Sequence, residues 1–431
     1  MAESPSRWLA LNDRLAAIDP DDPGQLTDAI AATYETIAET PAQLLQDYKG
    51  FSEKALTEAL ATRAALVMKG EIAVTEASEE RLTLLDAARL LRALEANALE
   101  GTFRTESDLG EDLERLWVTT DGRYYVVPRI APLAALDGKP FLRRALRHYR
   151  VLPTEMPGFR VRLHRTPLAA TSAMAAGDRA GKQRSFGAAL FPGLKAVLSD
   201  PAIEGFTVIG LDGFDGDEMI DAHLAQARAE NATAIVWGEL TMPEARVTQV
   251  QQDLADRALD GDSALRYLVA GSWHRDIDAE MRNVAVILDG NGELLFEVLK
   301  WAKFDIAGRT ESIVPGKEIH VLVCEDELIT VAVCRDFLEG TTDVPYLRLN
   351  VDLAIVPSMI SGIAEHATMD GHAVTAKLMR VRYGTRTMVV AQPAVSTEGD
   401  VGQVMALPDD PMTDKAVLVD GAWHACPLAS S

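Results

Sequence analysis

Residues 205–240 read GFTVIGLDGFDGDEMIDAHLAQARAENATAIVWGEL, and this stretch contains a strand, a helix and a second strand in succession. The apolar run at 205–212 is typical of a strand, and the segment 216–232 is typical of a helix. The run TAIVWGEL at 233–240 predicts a second apolar strand that ends on an acid. This alternation indicates an α/β fold in the second half of the chain.

The same alternation continues toward the C-terminus. A tight-turn signal, Asp-Gly-Asn-Gly, lies inside the segment 283–304 and predicts an antiparallel hairpin. Further strands are predicted at 266–274, 320–336 (a pair), 351–358 and 386–393, with helices at 245–259 and 373–385. We therefore expect a layered α/β sandwich.

The N-terminal part differs in character from the sandwich. Residues 1–100 are patterned as helices, and a segment at 165–191 that is rich in Ala, Gly, Ser and Arg shows no periodicity. The predicted organisation is a mainly helical domain at 1–165, a linker at 166–202, the sandwich at 203–405 and a C-terminal tail at 406–431.

Composition limits the class of protein. The chain has 431 residues, 48% of them hydrophobic and 25% charged, which is the ordinary globular range and excludes a disordered or collagen-like chain. No apolar stretch approaches the roughly 18 residues of a membrane helix, and no signal peptide is evident. Three cysteines make no disulfide framework, so a cytoplasmic location is expected.

One basic stretch departs from the net charge of −23. Residues 141–184 hold ten basic residues, and the acids there are Glu155 and Asp178. One interpretation is a connector or subunit contact that lies on the acidic body. The other is a site for a polyanion or another partner, or a cover over an active site that selects anionic substrates.

Three residues near strand ends are candidates for chemistry. Cys334 follows the apolar run ITVAV, Glu239 ends an apolar strand, and Lys300 lies in the strand LLFEVLKW. A thiol at a strand end can face a cleft, a carboxylate there can act as a base, and a buried lysine needs a partner. Taken one at a time, a structural cysteine, a solvent acid and a surface lysine are equally ordinary interpretations.

Taken together and in order, the three resemble the nitrilase, or carbon–nitrogen hydrolase, superfamily. The motifs are IVWGEL at 235–240, GELLFEVLK at 292–300 and VAVCRD at 331–336. A Pro–Gly turn at 315–316 and the strand LAIVPS at 353–358 stand where the family has them. The resemblance covers about 203–395.

The resemblance implies both fold and activity. The fold would be the nitrilase-like α-β-β-α sandwich. The protein would hydrolyse an amide, carbamoyl or nitrile carbon–nitrogen bond through a thioester, without metal or other cofactor. Cys334 would be the nucleophile, Glu239 the general base, and Lys300 with the backbone N–H of Arg335 the oxyanion donors. Glu311 would be the family's second glutamate. A homodimer or larger homo-oligomer is also implied.

The departures from the family pattern indicate a divergent branch. Gly238 replaces a proline before the first glutamate, and Ala302 replaces a histidine after the lysine. Thr385 and Arg386 stand where glutamate and asparagine are common. Lys303 is a rival for Lys300, but the eight-residue spacing from Gly292 favours Lys300.

The remaining candidates point to no second chemistry. The histidines are scattered, so a zinc site is not predicted, and they are interpreted as ordinary polar or core residues: His274, His320, His366 and His372. The alternative function is a nitrilase-fold binding or regulatory protein whose N-terminal region engages a partner, because a minimal hydrolase does not need about 200 additional residues.

Overall fold

The chain divides into two compact units. The computed structural model describes residues 6–102, 113–129, 144–165, 184–258, 265–306, 308–324, 327–338, 344–360, 366–397, 401–407 and 416–428. The first unit is Met1–Pro157 with Arg348–Asn350 and Val381–Gly384, and the second is Gly158–Leu347 with Val351–Arg380 and Thr385–Ser431.

The first unit is mainly helical, as the sequence predicts. Its helices are α1 (Arg7–Leu15), α2 (Pro23–Ala38), α3 (Ala42–Gly50), α4 (Glu53–Leu56), α5 (Leu60–Val67), α6 (Glu80–Thr102) and α7 (Leu113–Trp117), and its strands are β1 (Tyr124–Pro128) and β2 (Tyr149–Pro153). The Ser6 hydroxyl accepts from the backbone N–H of Leu9, and the Asp22 carboxylate accepts from that of Gly24. These side chains cap α1 and α2 at their first turns. Apolar residues of α1, α2 and α6 then form one continuous core.

The second unit carries most of the strands. They are β3 (Glu155–Met156, just before its boundary), β4 (Phe159–Arg165), β5 (Arg184–Ala189), β6 (Lys195–Leu198), β7 (Val208–Asp212), β8 (Ala234–Trp237), β9 (Tyr267–Val269), β10 (Trp273–Ile277), β11 (Glu280–Asp289), β12 (Leu294–Leu299), β13 (Asp305–Ile306), β14 (Arg309–Thr310), β15 (Glu318–Val323), β16 (Leu328–Val331), β17 (Leu353–Ile360), β18 (Arg386–Pro393), β19 (Gly402–Leu407), β20 (Ala416–Val419) and β21 (Trp423–Leu428). Its helices are α8 (Gly216–Ala229), α9 (Glu244–Ala258) and α10 (His366–Tyr383). Among the described residues, no helix is long and apolar enough to cross a membrane.

Two mixed sheets form the sandwich. One has the order β10-β11-β9-β8-β5-β21, with β12 also paired to β11. The other has the order β20-β19-β18-β17-β16-β15-β4-β3. Strands β5, β8 and β9 run parallel in the first sheet, and β16, β17 and β18 run parallel in the second. Parallel neighbours of this kind place their carboxyl ends at one edge of each sheet.

Packing of the layers confirms the predicted sandwich. Side chains of both sheets, among them Val236 and Ile355, share one buried apolar core. Helices α8 and α9 cover the other face of the first sheet through residues such as Leu224 and Val250. Helix α10 connects the parallel strands β17 and β18, and such a crossover helix covers a sheet face. Because the inner face of the second sheet is occupied by the core, α10 lies on its outer face.

The domain boundaries differ from those predicted. The expected linker at 166–202 contains β5, which pairs with β8 on one side and β21 on the other. The expected tail at 406–431 contains β21. Gly187 of β5 faces Trp423, and a Cβ at this position would lie 1.8 Å from a ring carbon. This packing requires a glycine, which is one of the small residues that made the segment resemble a linker.

The arginine-rich stretch 141–184 is divided between the two units. Arg144 and Arg150 are buried in the helical unit, where the guanidinium of Arg144 donates to the Phe51 carbonyl at 2.6 Å and to Glu53 at 3.1 Å. Arg144 therefore joins the segment between α3 and α4 to its own segment, and neither side chain contributes to a basic surface. Arg143, Arg179 and Lys182 lie outside the described residues, and partner binding through this stretch stays a prediction.

Candidate active site

The acid at the end of β8 is held between the two sheets. The backbone N–H of Glu239 donates to the carbonyl of Ser358 in β17, at 3.2 Å. The preceding residue, Gly238, permits this close approach, because a Cβ there would lie 2.7 Å from Gln392 Cβ. The glycine at the position where the family has proline therefore has a steric cause.

Lys300 lies directly after β12 and points to two carboxylates. Its backbone N–H donates to the carbonyl of Asn283, at 2.9 Å. Its Nζ atom is 2.7 Å from Glu239 Oε1 and 2.6 Å from Glu311 Oε2, and all three side chains are 1% exposed. The rival Lys303 is exposed to solvent. The structure thus brings Glu239, Lys300 and Glu311 together as one buried ionic cluster.

The cluster shifts its own ionisation. Burial acts to lower the pKa of Lys300, but the charges of Glu239 and Glu311 outweigh burial and hold that pKa above its ordinary value. Burial acts to raise the pKa of Glu311, but Lys300 and a hydrogen bond from His274 hold it far below its ordinary value. Lys300 therefore stays a cation and Glu311 an anion at neutral pH.

Asn283 bridges the two carboxylates, and the sequence did not single it out. This fully buried residue of β11 donates from Nδ2 to Glu239 Oε1 at 3.0 Å and to Glu311 Oε1 at 2.9 Å. His274 is the second residue that was missed, since it was interpreted as an ordinary histidine. For Asn283, the one signal in the sequence was its position as a polar residue in the largely apolar strand RNVAVILD.

Cys334 begins a 3₁₀ turn, Cys334–Phe337, beyond the end of β16. Its φ angle of 48° is a left-handed conformation that is uncommon for a residue with a side chain. Its Sγ atom accepts from the Ser358 hydroxyl at 3.2 Å and contacts the Met359 carbonyl at 3.6 Å. Met359 in turn donates its backbone N–H to Glu239 Oε2 at 3.1 Å. The thiol therefore lies beside the ionic cluster, joined to it through two residues of β17.

The buried thiol is protonated at rest. Burial is the largest influence and, with the charge of Glu239, raises the pKa of Cys334 to about 12, although Lys300 and Ser358 act in the opposite direction. A thiolate is the reactive form of cysteine, so attack by Sγ requires transfer of its proton to a base at the site. Glu239 is the candidate for that base. Its backbone and its carboxylate are both hydrogen-bonded to β17, the strand whose Ser358 and Met359 also contact Sγ.

Residues after the cysteine connect it to the lysine loop. The buried carboxylate of Asp336 accepts from the backbone N–H groups of Trp301 at 3.1 Å and Ala302 at 2.7 Å. Burial raises the pKa of Asp336 well above its ordinary value. The Arg335 side chain points elsewhere, to the Lys303 carbonyl at 2.9 Å. The predicted oxyanion role of Arg335 concerns its backbone N–H alone and stays a prediction.

The ionic cluster is built around a lysine ammonium. Among the described residues, no group of three or more His, Cys, Asp or Glu side chains is arranged to bind a metal ion. At the ionic cluster the Nζ atom of Lys300 occupies the position between the two carboxylates.

Comparison with known proteins gives structural likeness only. Neither a family model nor a curated protein matches the sequence. An amidase from Nesterenkonia sp. is similar over 58% of this chain and 92% of its own, at 16% identity and a TM-score of 0.42. A variant of the amidase from Nesterenkonia sp. AN1, with the acetamide moiety of fluoroacetamide covalently added at its active-site cysteine, covers the same shares at 16% identity and a TM-score of 0.43.

A further similar structure names a superfamily. It is a variant of Nesterenkonia AN1 amidase from the nitrilase superfamily, similar over 58% of this chain and 93% of its own at 17% identity and a TM-score of 0.40. The two sheets and their covering helices form the nitrilase-like α-β-β-α sandwich that the sequence motifs predict.

Proposed function

We propose that this protein hydrolyses a carbon–nitrogen bond other than a peptide bond, in a small amide, carbamoyl compound or nitrile. The observation that carries the proposal is the buried cluster of Glu239, Lys300 and Glu311 beside the thiol of Cys334. A nucleophile, a base and a fixed cation within one water-excluded site are the groups that acyl transfer to a thiol requires.

The first half-reaction forms a thioester. The Sγ proton of Cys334 passes to Glu239 while Sγ bonds to the amide carbon, and the carbonyl π electrons move to oxygen. Lys300 and the backbone N–H of Arg335 stabilise that oxyanion. The carbon–nitrogen bond then breaks, the nitrogen takes the proton from Glu239, and ammonia or an amine leaves.

The second half-reaction returns the free thiol. Glu239 removes a proton from water while the water oxygen bonds to the thioester carbon, and the same two donors hold the new oxyanion. The carbon–sulfur bond breaks, Sγ regains its proton from Glu239, and a carboxylic acid leaves. Glu311 takes no proton in either half and serves as the counter-ion of Lys300.

Ammonia release by matched cysteine variants tests the proposal. We expect the wild-type protein to release ammonia from at least one of a panel of small amides, carbamoyl compounds and nitriles, and Cys334→Ala to release none. Cys426→Ala is the control, because burial also raises the pKa of Cys426 to about 12, while no charged side chain among the described residues contributes to that shift. Equal turnover by Cys334→Ala and wild type would overturn the proposal.

A binding or regulatory role of the N-terminal region is the second candidate. The helical unit has a hydrophobic core of its own, which a hydrolase of minimal size does not require. A protein with this role alone would bind a partner through residues of the helical unit and show no ammonia release with any compound of the panel. Homo-oligomer formation and a cytoplasmic location also stay predictions.

A further inference from the structure

His274 occupies a fixed position beside the ionic cluster. It lies in β10, and its side chain is 1% exposed. Its Nδ1 atom accepts the backbone N–H of Val208 at 2.8 Å, and its Nε2 atom is 3.0 Å from Glu311 Oε1. A backbone N–H can only donate, so Nδ1 carries a lone pair and Nε2 carries the hydrogen. The ring is therefore a neutral donor to Glu311.

The two carboxylates of the cluster differ in how they are held. Glu311 accepts from four donors, namely His274 and Asn283 at Oε1 and Lys300 and the Phe304 backbone N–H at Oε2. Glu239 shares Lys300 and Asn283 and otherwise accepts from the Met359 backbone N–H. Hydrogen bonds to a carboxylate favour its charged form. The additional side-chain donor at Glu311 is His274.

We propose that His274 is a positioning residue that keeps Glu311 ionised and so confines proton transfer to Glu239. The proposal rests on the proposed function, because it assigns the roles of two glutamates in that reaction. Without His274, two buried carboxylates beside a single lysine would compete for the proton released by Cys334. A proton on Glu311 would weaken the charge that fixes Lys300 as the oxyanion donor.

Other charged groups near the pair do not replace His274. Lys300 faces both carboxylates and therefore does not distinguish them. Asp336 and Cys334 interact electrostatically with Lys300 and Glu239. Asn283 donates to both carboxylates from one nitrogen. Among the described side chains, His274 is the donor to Glu311 that Glu239 lacks.

Two substitutions distinguish the effect of losing the hydrogen bond from His274 from the effect of losing its imidazole ring. His274→Leu removes the donor, and His274→Gln retains a neutral N–H donor. We expect kcat/KM for amide hydrolysis to fall about 10- to 100-fold in His274→Leu, the range for loss of one hydrogen bond to a charged group. The acid limb of its pH profile should move upward, because Glu311 then takes up a proton at a higher pH. His274→Gln should restore the limb, and His223→Leu, which alters a buried histidine in α8, should leave it unchanged.

An infrared titration of carboxyl groups tests the same point without a substrate. As pH falls from 7 toward 3, we expect the protonated carboxyl signal of Glu311 to appear at a higher pH in His274→Leu than in wild type, and to be missing from the double variant His274→Leu/Glu311→Gln. An unchanged carboxyl titration and acid limb in His274→Leu, or a shift that His274→Gln does not reverse, would overturn the inference. If wild type shows no ammonia release but the titration shifts, the proposed function fails and the ionisation role of His274 stands.

Discussion

The hydroxyl oxygen of Ser358 lies 3.2 Å from the Sγ atom of Cys334, and both side chains are fully buried. The carbonyl of the same serine accepts the backbone N–H of Glu239. One residue of β17 therefore contacts the proposed nucleophile through its side chain and the proposed base through its main chain. The relative position of thiol and carboxylate is set by a strand rather than by a loop.

Removal of that hydroxyl should slow the reactions of the thiol. In Ser358→Ala the thiolate of Cys334 loses a hydrogen bond, so the pKa of the thiol rises further. We expect alkylation of Cys334 by iodoacetamide at pH 7 to slow about tenfold, measured by mass spectrometry of the labelled peptide. Ser396→Ala, which removes a buried hydroxyl bonded to the Phe191 carbonyl, is the control. Equal rates in all three proteins would show that Ser358 does not act on the thiol.

Loss of the lysine should leave two buried carboxylates without a counter-ion. We expect Lys300→Met to lower the free energy of unfolding by about 3–5 kcal/mol at pH 7.5, measured by denaturant titration. Lys303→Met, which changes an exposed residue in the same loop, should stay within about 0.5 kcal/mol of wild type.

The pH dependence of the same variant has a definite sign. In wild type, the lowered pKa of Glu311 contributes stability above the pKa of the unfolded chain, and this contribution is lost as pH falls. Without Lys300, burial acts to raise the pKa of Glu311, and at that group the folded state then binds more protons than the unfolded state. The stability of Lys300→Met relative to wild type should therefore rise as pH falls from 7.5 to 5. A constant difference from wild type across this range would contradict the ionic assignment.

Replacement of the bridging amide should destabilise both carboxylates. Asn283→Leu removes one donor from Glu239 and one from Glu311. We expect a loss of about 2–3 kcal/mol in unfolding free energy, because each buried anion keeps fewer partners. In a Glu311→Gln background the loss should be smaller, since only one anion is then affected. Equal losses in the two backgrounds would show that Asn283 contributes by packing alone.

A pair of histidines between the sheets should make stability depend on pH. His164 Nε2 lies 2.8 Å from His320 Nδ1, and both rings stack on Phe296. Burial lowers the pKa of His164 to about 4 and that of His320 to about 3. The unfolded chain therefore takes up protons first as pH falls below about 6.5, and stability declines from there to about pH 4.

Removal of one ring should reduce this decline. We expect the melting temperature of His164→Phe to fall less than that of wild type between pH 6.5 and 4, measured by calorimetry. His424→Phe, a substitution away from the pair, should follow the wild-type curve. If His164→Phe and wild type decline in parallel, the pair does not titrate as described.

The site residues that the sequence predicts most readily are those at the ends of strands. Glu239, Lys300 and Cys334 each interrupt or end an apolar run, because a charged or reactive group at a sheet edge stands out from a buried strand. The structure brings these three together with Glu311. Asn283 was not singled out and His274 was interpreted as an ordinary histidine, because both lie within strands, where alternation allows a polar residue to face solvent as easily as an interior cluster. Only the pairing of β10, β11 and β12 determines which way they face.

The central place of β5 has a practical consequence for dividing the protein. A fragment that begins at residue 203, the boundary that sequence periodicity indicates, would lack the strand between β8 and β21 and also β4 beside β15. Its unpaired edges would be free to join those of other molecules. We expect such a fragment to aggregate when expressed alone, and a fragment that begins at Gly158 to remain monodisperse by light scattering, or to aggregate markedly less.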